Sequence, residues 1–456
     1  MKSATAALGF ATLATALAAC PAPGLLSQDG GNVFVIDSGC PRYEGASGIA
    51  LARTTATATP SASIFDRFVT ELTALAPGAR EGRVDAFLAE VQDGGGTPLR
   101  DHVCRDTERA VFLERDGGGA NLFVEGTFND YSVTSAPPMQ SLLGTSLFVA
   151  DLKAMPVTSP VAYKLVHGST PSEDLRARTV RWDGLLKADT GLGEFYALAN
   201  PEALDATHGR LTVWRGRRDV FIYVPAVYDA QSALHLPVLY FGDGNQSLTR
   251  APFQDVADDV YAAHPEQAAI LVFVGLPSLE ERPSQYTFDA GTSWNYGAHG
   301  LGTLPVPEGD AYLQYLRDEL VPRVDASFRT CPKATDRGLA GASLGGLIAV
   351  YGALRMPDTF GYAAAQSGSF FWGEGALNSY FNAAAKLPLR FYLDTGCPES
   401  LDNCASTQAL RTTLSTKGYD THYVEQDGGQ HDWPFWQGRL PQLLGDFHKA
   451  QTGCTP

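Results

Sequence analysis

Three kinds of residue in this 456-residue chain occur in the order that nucleophilic acyl transfer requires. Ser343 lies in Gly341-Ala342-Ser343-Leu344-Gly345, a G-x-S-x-G pattern that places a serine hydroxyl on a tight turn. A serine hydroxyl is a poor nucleophile without a base, and His431 follows it in Gly428-Gly429-Gln430-His431. Acidic residues lie between them, so the chain order is serine, acid, histidine.

The residues around Ser343 predict the structure that would hold it. Gly338-Leu339-Ala340 is typical of a short strand, and Leu344 to Leu354 of a helix that Pro357 ends. A serine between a strand and a helix forms a nucleophile elbow, the turn that presents the catalytic serine in α/β-hydrolases. The helix start there favours developing negative charge, because its backbone N–H groups lack partners within the helix.

The acid is expected after a late strand, predicted at Leu389 to Leu393. Glu399 is the first candidate and Asp402 the second, because a Cys397–Cys404 bridge would clamp their loop. Asp394 could equally be a hydrogen-bonding residue at the strand end. The acid would orient the imidazole of His431 and stabilise its charged form.

The oxyanion hole requires two backbone N–H groups. Leu344, directly after the nucleophile, would supply one. The second would come from Gly244 or Asn245, which follow the predicted strand Pro237 to Phe241. A plain glycine-rich turn between a strand and a helix explains that loop equally well.

The spacing of apolar residues predicts two folded units. Ile64 to Val91 has helical periodicity broken at Pro77-Gly78, and Ala110 to about Arg181 alternates short β-prone runs with turn residues, which indicates a β-sandwich. After residue 205, strands such as Ala269 to Val274 alternate with helices such as Ala311 to Phe328, which indicates a mainly parallel α/β sheet. We therefore predict a helical segment plus β-sandwich at 61–195 and an α/β-hydrolase catalytic domain at 205–450.

The N-terminus indicates export from a bacterial cell. Lys2 and the apolar run Ala4 to Ala16 predict a signal peptide over 1–19, since the run is too short to span a bilayer. Leu17-Ala18-Ala19-Cys20 resembles a bacterial lipobox, which would lipidate Cys20 and leave 20–60 as a flexible tether. The alternative is an ordinary secretory signal and a secreted protein.

The remaining six cysteines are even in number, which suggests disulfides in an exported chain. Cys397–Cys404 is the most plausible pair because one short loop separates the two residues. Cys40–Cys104 and Cys331–Cys454 would then be the other pairs. No pair has two-residue spacing and no histidine cluster accompanies them, so a metal site is not expected.

Composition excludes one class of partner. The net charge of −16 and the absence of a basic segment argue against nucleic-acid binding. The 44% hydrophobic content is ample for packed cores.

Together these motifs resemble the enterochelin-esterase-like (esterase D type) family of α/β-hydrolases. Gly126 to Tyr131 and Tyr163 to Val166 resemble its N-terminal β-sandwich, and Arg337 to Gly346 resembles its elbow. Ser367 to Trp372, Gly396 to Glu399 and Gly428 to Trp436 resemble its later segments, in which the acid lies three residues after a glycine. That spacing favours Glu399, whereas Gln430 is an insertion before His431.

The resemblance implies a serine esterase that works without metal or cofactor on a small-molecule ester. Feruloyl or acetyl esters linked to polysaccharide are the alternative substrates, and a non-catalytic ligand-binding surface lipoprotein is the alternative from another class. Any membrane contact would pass through the lipid anchor alone. The residues predicted to contact substrate are Trp294, Tyr296, Trp372, Trp433 and Arg282.

Overall fold

The computed structural model describes most of residues 63–449 and four two-residue strands before them. The gaps in that range are residues 95, 105–106, 116–120, 130–135, 157–160, 169, 173, 175, 178, 188–191, 199–207, 292–305 and 399–402. The predicted signal peptide, Cys20, Cys40 and Cys454 lie outside the described residues. Within the described part of the chain, no helix is both long and apolar enough to cross a bilayer.

The four short strands form two antiparallel pairs, β1 with β2 and β3 with β4. They are β1 (Gly24–Leu25), β2 (Val35–Ile36), β3 (Tyr43–Glu44) and β4 (Gly48–Ile49).

Two helices follow, α1 (Ile64–Ala74) and α2 (Arg80–Gly94), separated by a 3₁₀ turn at Pro77–Ala79. The Ser63 hydroxyl caps α1 by accepting the Asp66 N–H at 3.0 Å. Phe68 and Phe87 stack with their ring centroids 3.8 Å apart, which fixes one helix against the other. The predicted break in this helical segment is therefore confirmed.

The N-terminal strands form two antiparallel layers. They are β5 (Leu99–Cys104), β6 (Thr107–Arg115), β7 (Leu122–Gly126), β8 (Gln140–Ser141), β9 (Leu147–Pro156), β10 (Ala162–His167), β11 (Thr170–Ser172), β12 (Thr179–Lys187) and β13 (Leu192–Leu198). The first layer has the order β5-β6-β9-β8, and in the second β10 pairs with β7, β11 and β13. Phe112 of β6 meets Tyr163 of β10 edge to face at 4.8 Å, so apolar side chains of the two layers share a core.

The C-terminal half is one mixed sheet with helices on it. Its strands are β14 (Arg210–Trp214), β15 (Val220–Val224), β16 (Val238–Phe241), β17 (Ile270–Val274), β18 (Arg337–Ala342), β19 (Tyr362–Gln366), β20 (Arg390–Cys397) and β21 (Asp420–Asp427). They lie in the order β14-β15-β17-β16-β18-β19-β20-β21, and the pairs from β17 to β21 are parallel. The predicted α/β sheet is confirmed, and β12 pairs with β14 to join it to the N-terminal strands.

Helices connect these strands, as parallel pairing requires. They are α3 (Ala226–Ala230), α4 (Gly244–Thr249), α5 (Phe253–Ala263), α6 (Arg282–Gln285), α7 (Gly309–Tyr315), α8 (Val321–Ser327), α9 (Leu344–Arg355), α10 (Trp372–Ala383), α11 (Asn403–Thr416) and α12 (Trp433–Lys449). A π-helical segment at Leu316–Leu320 links α7 to α8, so the predicted Ala311 to Phe328 helix is one continuous element.

The sheet topology places the candidate residues along one edge. Parallel strands direct their carboxyl ends to the same side, where ligands bind in open α/β sheets. Asp243 follows β16, Ser343 follows β18, Ser367 follows β19, and His431 follows β21.

Candidate active site

Ser343 occupies a strained turn between β18 and α9. Its backbone has φ 59° and ψ −123°, a conformation that residues with a Cβ rarely adopt. Two hydrogen bonds hold it there: Ser343 N–H donates to the Gln366 carbonyl at 2.9 Å, and Ser369 N–H donates to the Ser343 carbonyl at 3.0 Å. The geometry is that of a nucleophile elbow, as the sequence predicted.

Close packing around Ser343 requires glycine at positions 341 and 346. A Cβ on Gly341 would lie 2.6 Å from both the carbonyl carbon and the carbonyl oxygen of Gly345. A Cβ on Gly346 would lie 3.0 Å from the Ala365 Cβ and 3.1 Å from the Gly341 carbonyl oxygen. The strand and the helix therefore approach each other across the turn more closely than side chains would allow.

His431 is half-buried at the same edge of the sheet. Its ring meets the Trp436 indole edge to face, with centroids 5.1 Å apart. The loop before it touches the end of β20, because a Cβ on Gly396 would fall 2.2 Å from the Gly429 carbonyl oxygen. The histidine loop is thus in direct backbone contact with the end of the strand that precedes the predicted acid.

Both acid candidates, Glu399 and Asp402, lie outside the described residues, but the ends of their loop are described. Cys397 and Cys404 form the predicted disulfide, with their Cα atoms 5.4 Å apart. The buried Asn403 amide donates to the carbonyls of Ser367 at 2.8 Å and Gly368 at 3.1 Å. These contacts attach the loop to the segment that leads into Ser369. Cys331 is also disulfide-bonded, and its predicted partner lies outside the described residues.

Asp394 makes hydrogen bonds within the protein, which is the role that the sequence offered as its alternative to catalysis. Its carboxylate is fully buried and accepts hydrogen bonds from Arg439 at 2.9 Å and Gln366 at 3.2 Å. Burial raises the pKa of Asp394 above its ordinary value, while the Arg439 charge opposes that rise. Arg439 also donates to the Ser367 hydroxyl at 3.1 Å, so one ion pair joins β20, α12 and the segment after β19.

The residues predicted for the oxyanion hole begin two neighbouring helices. Leu344 is the first residue of α9, and Gly244 and Asn245 are the first two of α4. N–H groups at a helix start have no partner within the helix. The two starts are close, because a Cβ on Gly345 would lie 3.2 Å from Asp243 Oδ2.

Arg282 lies beside this pair of helix starts. It donates from Nε to Asp243 Oδ1 at 2.6 Å and from Nη2 to Asp243 Oδ2 at 2.7 Å. Desolvation lowers the pKa of Arg282, but the charge and hydrogen bonds of Asp243 outweigh it and the net change in pKa is upward. The guanidinium is committed to protein partners, which argues against the substrate contact predicted for it.

Two tryptophans predicted to contact substrate belong to the core. Trp372 is fully buried, and its indole N–H donates to the Phe288 carbonyl at 3.0 Å. Trp433 is buried against Phe253 and Trp436. A substrate contact is therefore wrong for Trp372 and is not supported for Trp433, while Trp294 and Tyr296 lie outside the described residues.

Sequence reasoning missed a polar cavity of about 470 Å³ at this edge of the sheet. It lies beside the turn between β14 and β15, where Val220 pairs with Val274 at the carboxyl end of β17. Arg218 lies over the rings of Tyr312 and Tyr315 at 5.2 and 5.3 Å. The cavity presents aromatic walls and guanidinium groups to a ligand.

A model of the family described as "Putative esterase" matches residues 213–447, which is just over half of the chain. The chain belongs to this family. Membership makes it an ester-hydrolysing enzyme and confirms the family that the motifs indicated.

Individual relatives within the family are distant. The iron(III) enterobactin esterase of Escherichia coli O6:H1 is 29% identical over 222 residues, covering 46% of this chain and 53% of that protein. An endo-1,4-beta-xylanase/feruloyl esterase of Xylanibacter ruminicola is 27% identical over 150 residues, covering 33% of this chain and 19% of that protein. The chain thus spans about half the length of the enterobactin esterases it matches.

A solved structure of enterobactin esterase from Shigella flexneri is 20% identical with a TM-score of 0.43. That comparison covers 78% of this chain and 97% of the other.

Proposed function

We propose that this chain is an exported serine carboxylic-ester hydrolase that works through Ser343, His431 and Glu399, with Asp402 as the second candidate for the acid. The observation that carries the proposal is the position of Ser343, in a strained turn between β18 and α9 whose helix start lies close to the start of α4. Strain at a serine beside two sets of unpartnered helix N–H groups suits attack on a carbonyl followed by oxyanion stabilisation.

In the proposed reaction, His431 accepts the hydroxyl proton of Ser343 as its Oγ attacks the ester carbonyl carbon. The N–H groups of Leu344 and of Gly244 or Asn245 bind the oxyanion of the tetrahedral intermediate. The C–O bond to the alcohol breaks, and His431 donates its proton to the leaving oxygen. Water, activated by His431, then hydrolyses the acyl-enzyme and restores Ser343.

The proposed substrates are esters with aromatic groups. Relatives named as an iron(III) enterobactin esterase and as a feruloyl esterase motivate catecholate siderophore esters first and feruloyl or acetyl esters on polysaccharide second. The cavity beside Arg218 offers aromatic rings and guanidinium groups, together with the carboxylates of Glu308 and Glu319, and these groups suit stacking and hydrogen bonding to an aryl ester.

We also propose export, with a signal peptide over 1–19 and a lipid anchor on Cys20. The disulfides at Cys331 and at Cys397–Cys404 support an oxidising compartment. Contact between Phe112 and Tyr163 supports a β-sandwich as the unit before the catalytic domain.

Hydrolysis of p-nitrophenyl acetate by the wild type and by Ser343→Ala tests the proposal. We expect the variant to lose at least about 10³-fold in kcat, because Ser343 is the nucleophile. Ser146→Ala, in the N-terminal unit, should keep the wild-type rate. Equal rates for wild type and Ser343→Ala would overturn the mechanism.

The same two proteins, treated with a fluorophosphonate, separate an enzyme from a ligand-binding lipoprotein. Only an activated serine should be labelled, and the label should disappear with Ser343→Ala. Parallel assays with a catecholate siderophore ester, a feruloyl ester and a short acyl ester then rank the substrate classes by kcat/KM.

A further inference from the structure

We propose that Arg282 and Asp243 are a positioning pair, which locks the start of α4 against the nucleophile elbow so that the oxyanion-binding N–H groups of both helices keep their spacing. This inference rests on the proposed function and assigns Arg282 a role other than contact with substrate. The pair is called here the Arg282–Asp243 bridge.

The first half of the bridge fixes the loop after β16. Asp243 has φ 56° and ψ 40°, a left-handed conformation that is uncommon for a residue with a Cβ. Its side chain is 1% exposed and accepts two hydrogen bonds from one planar guanidinium. Its backbone N–H donates to the Tyr286 hydroxyl at 2.7 Å. Contacts on both side chain and backbone therefore hold Asp243 in this conformation.

The second half reaches the elbow itself. Arg282 Nη2 also donates to the carbonyl of Ala342, the residue before Ser343, at 3.3 Å. One guanidinium thus bonds to the residue before Gly244 and to the residue before the nucleophile. Because α4 begins at Gly244, one residue after Asp243, and α9 begins at Leu344, two residues after Ala342, the bridge sets the distance between the two helix starts.

The distance between the helix starts matters because an oxyanion hole acts only when both donors reach the same oxygen, at about 2.7–3.1 Å.

The bridge also has an electrostatic effect. An unpaired Asp243 carboxylate close to Gly345 would oppose the negative charge that develops on the substrate oxygen, and Arg282 cancels that charge.

The test compares Arg282→Gln with the double variant Asp243→Asn/Arg282→Gln, using p-nitrophenyl acetate. For Arg282→Gln we expect kcat to fall about 100-fold, the size of losing one oxyanion donor. KM should change by less than about threefold, because the lost interaction acts in the transition state. The kcat of the double variant should be about tenfold higher than that of Arg282→Gln, since the double variant removes the opposing carboxylate as well.

Arg282→Lys keeps the charge but loses the planar fork, and it remains informative should Arg282→Gln fold poorly. We expect Lys to restore less than about a tenth of the wild-type kcat, because one ammonium cannot bond to Asp243 bidentately and also hold Ala342. Arg210→Gln is the matched control: Arg210 donates to Asp229 from Nε at 2.8 Å and from Nη2 at 3.2 Å, does not line the cavity beside Arg218, and its variant should keep the wild-type kcat.

A rise in KM with unchanged kcat for Arg282→Gln would overturn the positioning role and make Arg282 a substrate-binding residue. Wild-type kcat in Arg282→Lys would also overturn the positioning role, and no gain in the double variant would overturn the electrostatic effect. These outcomes differ from failure of the proposed function, in which the wild type itself would neither hydrolyse the ester nor react with a fluorophosphonate at Ser343.

Discussion

Two aspartate–arginine pairs flank Ser343, and they differ in what they connect. The Arg282–Asp243 bridge joins two turns, with 20% of the arginine side chain and 1% of the aspartate exposed. The Arg439–Asp394 pair joins a strand and a helix, with 4% and 0% exposed. The first also bonds to the carbonyl of Ala342, the residue before Ser343, and the second also bonds to Gln366 and Ser367 at the carboxyl end of β19.

The same chemistry therefore has two uses. A pair that links loops at the sheet edge controls the relative position of catalytic groups. A pair that links packed elements beneath the edge mainly contributes to the stability and uniqueness of the fold. Substitutions should separate these roles, since one pair should change kcat and the other the free energy of unfolding.

The largest expected change in unfolding free energy comes from breaking the buried Arg439–Asp394 pair. Arg439→Met leaves the Asp394 carboxylate buried without its cation, and breaking a buried pair costs about 3–5 kcal/mol. Urea unfolding followed by tryptophan fluorescence measures this loss. The folded fraction should keep its kcat within about tenfold, because Arg439 does not touch the reacting atoms.

The loss of unfolding free energy in Arg439→Met should also depend on pH. Burial raises the pKa of Asp394, and removal of Arg439 takes away the charge that most strongly opposes that rise. In the variant the folded state then binds the Asp394 proton more tightly than the unfolded state, whose pKa is about 3.9. The contribution of Asp394 to the stability of the variant is thus greatest below about pH 3.9 and is lost as pH rises through the higher folded pKa.

The double variant Asp394→Leu/Arg439→Met is the control, because it removes both charges and should regain part of the stability.

Arg282→Gln should lower the unfolding free energy by less, about 2 kcal/mol, since water reaches that partly exposed pair. A loss below about 1 kcal/mol for Arg439→Met would contradict the comparison.

An intermediate effect is expected where the elbow is most tightly packed. Gly341→Ala would place a Cβ 2.6 Å from the Gly345 carbonyl group, so α9 must shift away from β18. We expect a loss of about 1–3 kcal/mol in unfolding free energy and a fall in kcat, since Leu344 moves with the helix. Thermal unfolding and ester hydrolysis measure the two effects.

Gly438→Ala is its matched control. Gly438 lies within α12, and a Cβ there meets nothing within 4 Å. Alanine should raise stability by up to about 1 kcal/mol and leave kcat unchanged. Equal behaviour of the two alanine variants would show that close packing at the elbow is not what positions Leu344.

The turn that carries Ser343 could be predicted from sequence because its requirements are local. A glycine two residues to each side of Ser343, a strand before it and a helix after it all lie within twenty residues of each other, and all are found. The fold was predictable for a related reason: buried strands such as Ile270–Val274 are continuous apolar runs.

The flanking pairs could not be predicted in this way. Arg282 lies 39 residues from Asp243, and Arg439 lies 45 residues from Asp394, with no periodicity linking either pair. Arginine and tryptophan also serve as core, bridging or ligand-binding residues without any change in the local sequence. The burial of Trp372 and the ion pair of Arg282 argue against the substrate contacts predicted for them, and only the tertiary structure shows either feature.

The smallest effect is expected from single hydroxyls on the two sides of the nucleophile. Ser369 Oγ lies 3.3 Å from Ser343 Oγ, longer than the usual 2.7–2.8 Å for hydroxyl hydrogen bonds. Ser247, in α4, is equally buried and donates to the Asp243 carbonyl at 3.1 Å. Ser369→Ala and Ser247→Ala each remove one weak bond, so each should cost about 1 kcal/mol of stability or less.

Kinetics then distinguish the two sides. Ser369→Ala should lower kcat by less than about threefold, because the backbone N–H of Ser369, which the variant keeps, is the group that holds the Ser343 carbonyl. Ser247→Ala should likewise leave kcat nearly unchanged, because the Arg282–Asp243 bridge still fixes the start of α4. A loss above about 50-fold in Ser369→Ala would place its hydroxyl among the groups that act on Ser343 in the transition state. A comparable loss in Ser247→Ala would show that the internal hydrogen bonds of α4, rather than the bridge, position its first N–H groups.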